Sequence, residues 1–269
     1  MQALAAKNKT PLWVWITALG FVALNAILIA FEVYYLPILP LVLLLALIAF
    51  TRIDILLLII VFCTPLSMLL SYLVEGAGVD LYLPTEPMLA LLLLIYFIRF
   101  LRGTRSDLKI LRHPVTLAIY FHLAWMALTI ITSADPLVSV KYFISRIWFI
   151  VGFYLVAIEV FRQEKRMSQY IWLYVASFSV VIVYTLVRHS AYGLDNQMMA
   201  HSMMQPFYKD HTSYGATLAF LIPALIALFA GVKKGGSNER FLIILLLVFF
   251  AAATLFSYTR ACLLYTSPS

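Results

Sequence analysis

The sequence predicts an all-α fold, a polytopic membrane helix bundle of about nine transmembrane helices with its N-terminus in the cytoplasm. Three observations carry that reading. The composition is 64% hydrophobic and only 12% charged, whereas a soluble domain carries roughly 25% charged residues. The apolar residues fall into long uninterrupted runs. The basic residues are sorted between those runs with a strict bias. The mean hydropathy is +0.98, and a water-soluble fold of 269 residues cannot bury that much apolar surface, so lipid must cover it.

The runs are Pro11–Ala30, Val33–Phe50, Ile55–Val74, Pro87–Leu101, Pro114–Ser133, Val138–Phe161, Met167–Val187, Thr212–Val232 and Phe241–Tyr258. Backbone polar groups have no water to bond in a bilayer core, so each run is expected to be helical. The first run is too long for a signal-peptide core and the second follows at once, so it reads as a retained anchor. Pro87–Leu101 is short, and Arg99 near its end can snorkel. Pro65 and Pro223 are expected to bend their helices without ending them. Asn25 and His122 lie inside runs and are expected to bond neighbouring helices.

Alternating from a cytoplasmic N-terminus tests the loops. Lys7, Lys9, Arg52, Arg99, Arg102, Arg105, Lys109, Arg112, Arg162, Lys165, Arg166, Lys233, Lys234 and Arg240 then lie inside, 14 of the 19 basic residues. Lys141, Arg146, Arg188, Lys209 and Arg260 lie outside, and the outer loop Glu75–Glu86 has no basic residue. The inverse topology would violate the positive-inside rule at every loop. The net charge of +7 is thus a topology signal, spread over short segments rather than one patch, and no nucleic-acid partner is expected. The two cysteines make neither a disulfide framework nor a metal site. No Gly-rich phosphate loop and no zinc or Ser-hydrolase motif is present, so neither metal nor cofactor is expected.

The chain ends in Cys262-Leu263-Leu264-Tyr265-Thr266-Ser267-Pro268-Ser269. This octapeptide resembles the translation of a sequencing adapter, which makes 262–269 a non-native tail and 1–261 the membrane domain of a longer protein. A natural short tail is the other reading.

The five outer basic residues are the informative set, because topology disfavours them there. Arg146 lies inside a span, where an ionisable group is costly and marks a functional site by default, with snorkelling as the alternative. Lys141, five residues earlier, is shallower and interfacial. Arg188 follows the end of its span and reads as a topological anchor or a binding cation. The densest polar cluster is Lys209-Asp210-His211-Thr212-Ser213, which opens a membrane helix from the outer side. A helix start presents free N–H groups and partial positive charge, so with Lys209 beside it this end can hold a phosphate. Asp210 or Thr212 can cap the helix instead. His211 is a candidate base or an interfacial hydrogen-bonding group. Arg260, at the outer end of the last span, either complements the helix dipole or binds a diphosphate through its planar fork. Glu86 marks a helix start.

Two stretches resemble the O-antigen ligase and O-antigen polymerase family of bacterial inner-membrane proteins. One is Phe207–Pro223, with Lys209-Asp210-His211-Thr212-Ser213-Tyr214-Gly215-Ala216 leading into Leu218-Ala219-Phe220-Leu221-Ile222-Pro223. The other is Phe256-Ser257-Tyr258-Thr259-Arg260-Ala261, similar to the family's Ser/Thr-Arg-Gly/Ala motif. The resemblance implies a glycosyltransferase that takes a glycan from an undecaprenyl-diphosphate carrier at the periplasmic face. It passes that glycan to an acceptor hydroxyl on the lipid A core (ligase) or on another glycan (polymerase). It assigns diphosphate binding to Arg260, with Lys209, Arg146 and Arg188 as further cations. The family's base sits on a large later loop, so this chain is expected to hold donor-site residues and to be inactive alone, with His211 as a weaker candidate. A lipid-linked glycan flippase or other transporter is the competing class. It would place charges near the midplane or show inverted repeats.

Overall fold

In a computed structural model, residues 11–31, 36–72, 81–103, 108–162, 164–232 and 236–259 are described. The chain divides into two units, Met1–Thr51 and Arg52–Ser269. The first contains α1 (Leu12–Ala30) and α2 (Ile38–Thr51). No side chain of α1 is buried, and of α2 only Ala49 is. Helices this apolar with no protein cover are built for lipid contact. Within α1, Asn25 turns its amide back to the Phe21 carbonyl of its own helix (3.2 Å). That corrects the expected bond to a neighbouring helix: a carbonyl one turn away is always within reach, whereas a partner helix must supply an acceptor at the right height.

The second unit holds α3 (Ile53–Cys63), α4 (Thr85–Leu101), the short α5 (Leu108–Leu111), α6 (Pro114–Ile131) and α7 (Pro136–Ile150). The α7 helix passes through a π-helical turn (Val151–Val156) into α8 (Ala157–Phe161). There follow α9 (Glu164–Ser190), the single turn α10 (Gln197–Ala200), α11 (His211–Gly231) and α12 (Ser237–Phe256). Among the described residues, six helices are long and apolar enough to cross a membrane: Leu12–Ala30, Pro114–Ile131, Pro136–Phe161, Lys165–Ser190, His211–Gly231 and Ser237–Phe256. Ile38–Thr51 and Ile53–Leu66 are shorter apolar helices. The protein is a predominantly helical, multi-pass membrane protein.

The third apolar run does not continue as a helix, which corrects the expectation that Pro65 merely bends it. The α-helix stops at Cys63, a 3-10 turn spans Thr64–Leu66, and Ser67 is extended. Proline removes a backbone donor and crowds the preceding turn, and here another partner takes over the chain. Met68–Leu69 (β1) pairs antiparallel with Tyr82–Leu83 (β2). Non-helical backbone at membrane depth is tolerated where protein covers it and the bonds are made, and Leu69 is buried. The Ser67 and Thr85 hydroxyls hydrogen-bond each other and tie this turn to the start of α4. Pro223, by contrast, lies inside α11, which runs on to Gly231.

The core of this unit gathers around Phe178 of α9. Its ring meets Tyr214 of α11 (5.7 Å), Phe250 of α12 (5.9 Å) and Tyr208 of the preceding loop (5.8 Å). Helix α11 packs along α12, and α3 packs against α9 and α4. Gly152 lets α7 approach α4: a Cβ there would meet Leu89 Cδ2 at 2.8 Å. At one end of the bundle Arg166 of α9 bonds Asp54 of α3 (2.7 Å), and Arg52 also bonds Asp54 (3.2 Å). Both arginines belong to the set expected inside, and their meeting at one end agrees with that sorting. The opposite end, which carries Lys209, is termed the outer end after the side the charge bias assigns to it.

Candidate functional site

Helix α11 begins at the outer end because Asp210 caps it. The Asp210 carboxylate accepts from the Ser213 N–H (2.7 Å) and from the Ser213 hydroxyl (2.9 Å). An orphan N–H of the helix start is the physical reason for an acid here, and these bonds hold the Asp210 carboxyl below its ordinary range. The residues before the cap are fixed by rings. Phe207 sits edge-on to Tyr184 (5.2 Å), and Tyr208 wedges against Phe178 and Tyr214. Burial pushes the Tyr208 phenol up. Lys209, next in the chain, is exposed.

The stretch Ser257–Thr259 docks onto this helix start. The Thr259 hydroxyl donates to the His211 carbonyl (3.0 Å), and the Ser257 hydroxyl donates to Thr259 Oγ1 (3.1 Å). Gly215 makes the approach possible: a Cβ there would come within 2.8 Å of Thr259 Cβ. Tyr258 follows the C-cap Ser257 with φ 51, a left-handed conformation that usually falls to glycine. Its hydroxyl donates to the Leu194 carbonyl (3.0 Å) and its ring stands edge-on to His189 (6.2 Å). Two sequence stretches far apart in the chain thus form one junction. Arg260 follows directly in sequence and lies outside the described residues.

Beside the junction is a cleft of about 300 Å³, at the small end of ligand-site volumes of about 300–1,000 Å³. One wall is Lys209, Ser213, Thr217 and Tyr208. Glu86 and Thr85 from the first turn of α4 line the cleft too, with Thr64 and Ser67 from the end of α3. Phe149 of α7 and Tyr174 of α9 also line it. The lining is rich in hydroxyls, with one carboxylate and one ammonium among the described residues. Lys141 of α7 lies within electrostatic reach of Glu86.

The remaining predicted cations go elsewhere. Arg188 closes the last turn of α9 and donates through Nη1 to the Gln205 carbonyl (2.6 Å), the Tyr184 hydroxyl (3.0 Å) and the Met203 carbonyl (3.4 Å). It clasps the loop that leads to Lys209. Arg146 is exposed on α7, bonded to the Tyr142 hydroxyl (3.2 Å) with its guanidinium over that ring (5.6 Å). It shares a shallow depression with His122 of α6 and does not line the cleft. His211 stacks flat on His201 (4.0 Å, 11°) and does not line it either.

No protein-family model matches the chain, and no curated protein or solved structure is significantly similar to it.

Sequence reasoning singled out Lys209, Asp210 and His211 together, and the structure brings them to the junction. It missed the cleft role of Glu86, which reads from sequence as a helix start. It also missed His201 and His189. His189 is buried, with Nε2 against the Asn196 carbonyl (3.1 Å). The one available signal was a carboxylate at the outer end of an apolar helix, the first-turn position of α4. No group of three or more metal-binding side chains occurs among the described residues.

Proposed function

We propose that this chain forms the donor side of a bacterial inner-membrane glycan transferase of the O-antigen ligase type. It would span the bilayer nine times, by α1, α2, α3 with its hairpin, α4, α6, α7–α8, α9, α11 and α12. The donor is a glycan on undecaprenyl diphosphate, taken at the periplasmic face, and the acceptor is a hydroxyl of the lipid A core. The same donor chemistry serves a polymerase that passes the glycan to another glycan.

One observation carries the reading: the two stretches that resemble this family meet, Thr259 bonded to the His211 carbonyl and packed on Gly215. They lie 48 residues apart in sequence; the packing of α11 along α12 sets the start of one beside the end of the other, and the Thr259 contacts join them. The junction brings together the segment ending in Lys209 and the residue before Arg260. A diphosphate leaving group develops negative charge as the sugar departs, and fixed cations at a poorly hydrated interface stabilise it. Helix faces without protein cover, such as those of α6, offer the greasy surface a polyprenyl chain needs.

The test is complementation with the intact gene. Arg260→Ala and Lys209→Ala are expected to remove surface glycan while the protein still inserts in the membrane. Normal surface glycan on both variants would contradict the assignment.

A further inference from the structure

We propose that the pocket between α5, the start of α6 and the π-helical turn joining α7 to α8 binds one anionic phospholipid of the inner leaflet. The inference goes beyond the glycan-transferase reading and does not rest on it.

The pocket has a volume of about 380 Å³ and is lined, among the described residues, by Lys109, Ile110, His113, Val115, Tyr154 and Ile158. It lies toward the inner end. Helix α8 ends at Phe161, just before the start of α9, whose Arg166 bonds Asp54. At a rise of 1.5 Å per residue, Ile158 and Tyr154 stand about 5 and about 10 Å above that end, at the depth of the first acyl carbons.

The walls are held in place. Thr116 is the buried residue of α6, a helix with little other protein cover. Its hydroxyl donates to the Ile110 carbonyl (2.6 Å), which leaves its oxygen to accept from the Tyr154 hydroxyl (2.7 Å). These two bonds tie the α5–α6 elbow to the π turn, a feature that often marks a functional site within a helix.

The lining has two kinds of chemistry. Ile110, Val115 and Ile158 supply apolar wall. Val115 also borders the depression that contains Ala118, Ile119 and Ile150, so an apolar groove continues from the pocket along α6. Lys109 and His113 belong to the segment before the span, at headgroup level. His113 Nδ1 accepts from the Val115 N–H (3.3 Å), so the ring proton sits on Nε2, a donor suited to a phosphate oxygen. Around them the sequence carries Arg99, Arg102, Arg105, Lys109 and Arg112 against one acid, Asp107. Basic pockets between spans on the cytoplasmic side select anionic headgroups. A soluble phosphate would leave the apolar groove empty, whereas a phospholipid fills both parts.

The test is native mass spectrometry of the full chain in detergent micelles, titrated with phosphatidylglycerol or phosphatidylcholine. One phosphatidylglycerol per chain is expected to be retained in preference to phosphatidylcholine. Lys109→Gln is expected to weaken that retention about five-fold or more. Ile158→Trp, which fills the pocket without changing charge, should do the same. Arg102→Gln removes an equal charge from the same loop outside the pocket and should leave retention within about two-fold. Millimolar inorganic phosphate should not displace the lipid. Equal retention of the two lipids overturns the proposal. So does a loss in Arg102→Gln as large as that in Lys109→Gln, which would make the attraction diffuse. Displacement by inorganic phosphate would mean a free-anion site and likewise overturns it. Should Ile158→Trp fail to fold, the comparison of Lys109→Gln with Arg102→Gln decides.

Discussion

At the residue scale, Gly215 and Asp210 decide whether the junction forms. Gly215→Ala puts a methyl group into Thr259, whose hydroxyl is already held by the His211 carbonyl. Overpacking of this kind costs about 1–3 kcal/mol, and we expect a lowered thermal midpoint in detergent together with reduced donor retention. Asp210→Ala removes a cap that contributes about 1 kcal/mol. The folded carboxyl of Asp210 lies below its ordinary value of 3.8. Its contribution is therefore complete above about pH 4 and is lost as pH falls through the lowered folded value. A melting series from pH 6 to pH 3 on the unaltered protein and on Asp210→Asn checks the sign: the difference between them should shrink toward the acid end. Arg188 has a different task. Its Nη1 is occupied by loop carbonyls, so Arg188→Ala should speed proteolytic nicking between residues 191 and 205. Arg188→Lys should rescue poorly, since an ammonium lacks the planar fork.

At the element scale, the ends of α3 and α9 are pinned by the Asp54–Arg166 bond, whose partners are about three-quarters buried. Asp54→Asn should therefore destabilise the bundle measurably, by about 1–3 kcal/mol. Arg52→Ala should do little, because that side chain is 55% exposed and exposed pairs contribute about 0–1 kcal/mol. Comparative thermal shifts of the two variants decide it. The helices were largely legible in sequence because apolar run length is a direct signal of a bilayer solvent. The cap of α11 was legible as well, since an acid before a helix start has a local cause. The end of α3 was not. Whether a proline bends or ends a helix depends on what the following chain can bond to, and β1 finds its partner in β2 across a segment that sequence shows only as an acidic loop. Glu86 is the helix start the sequence indicated, but its place in the cleft was not legible, because that depends on α11 packing nearby.

At the scale of the whole molecule, the Arg52–Ser269 unit reads as a bundle with two chemically distinct ends. One holds Asp54 with Arg52 and Arg166, and the other holds Lys209, Glu86 and the Thr259 junction. The charge bias of the sequence places Arg52 and Arg166 on one side and Lys209 on the other. Function was less legible than fold: two consecutive spans place both stretches at one end, but the contacts that join them, Thr259 with the His211 carbonyl and Gly215, are announced by no periodicity. The proposal that the cleft serves a lipid-linked donor requires that it open to the exterior. The direct measurement is labelling of Ser213→Cys, which lines the cleft, with a membrane-impermeant maleimide in intact cells carrying Cys63→Ala and Cys262→Ala. Asp54→Cys in the same background is the control for the other end. The account predicts labelling of position 213 from outside and of position 54 only after the membrane is opened. Labelling of position 213 only from the cytosol would contradict it.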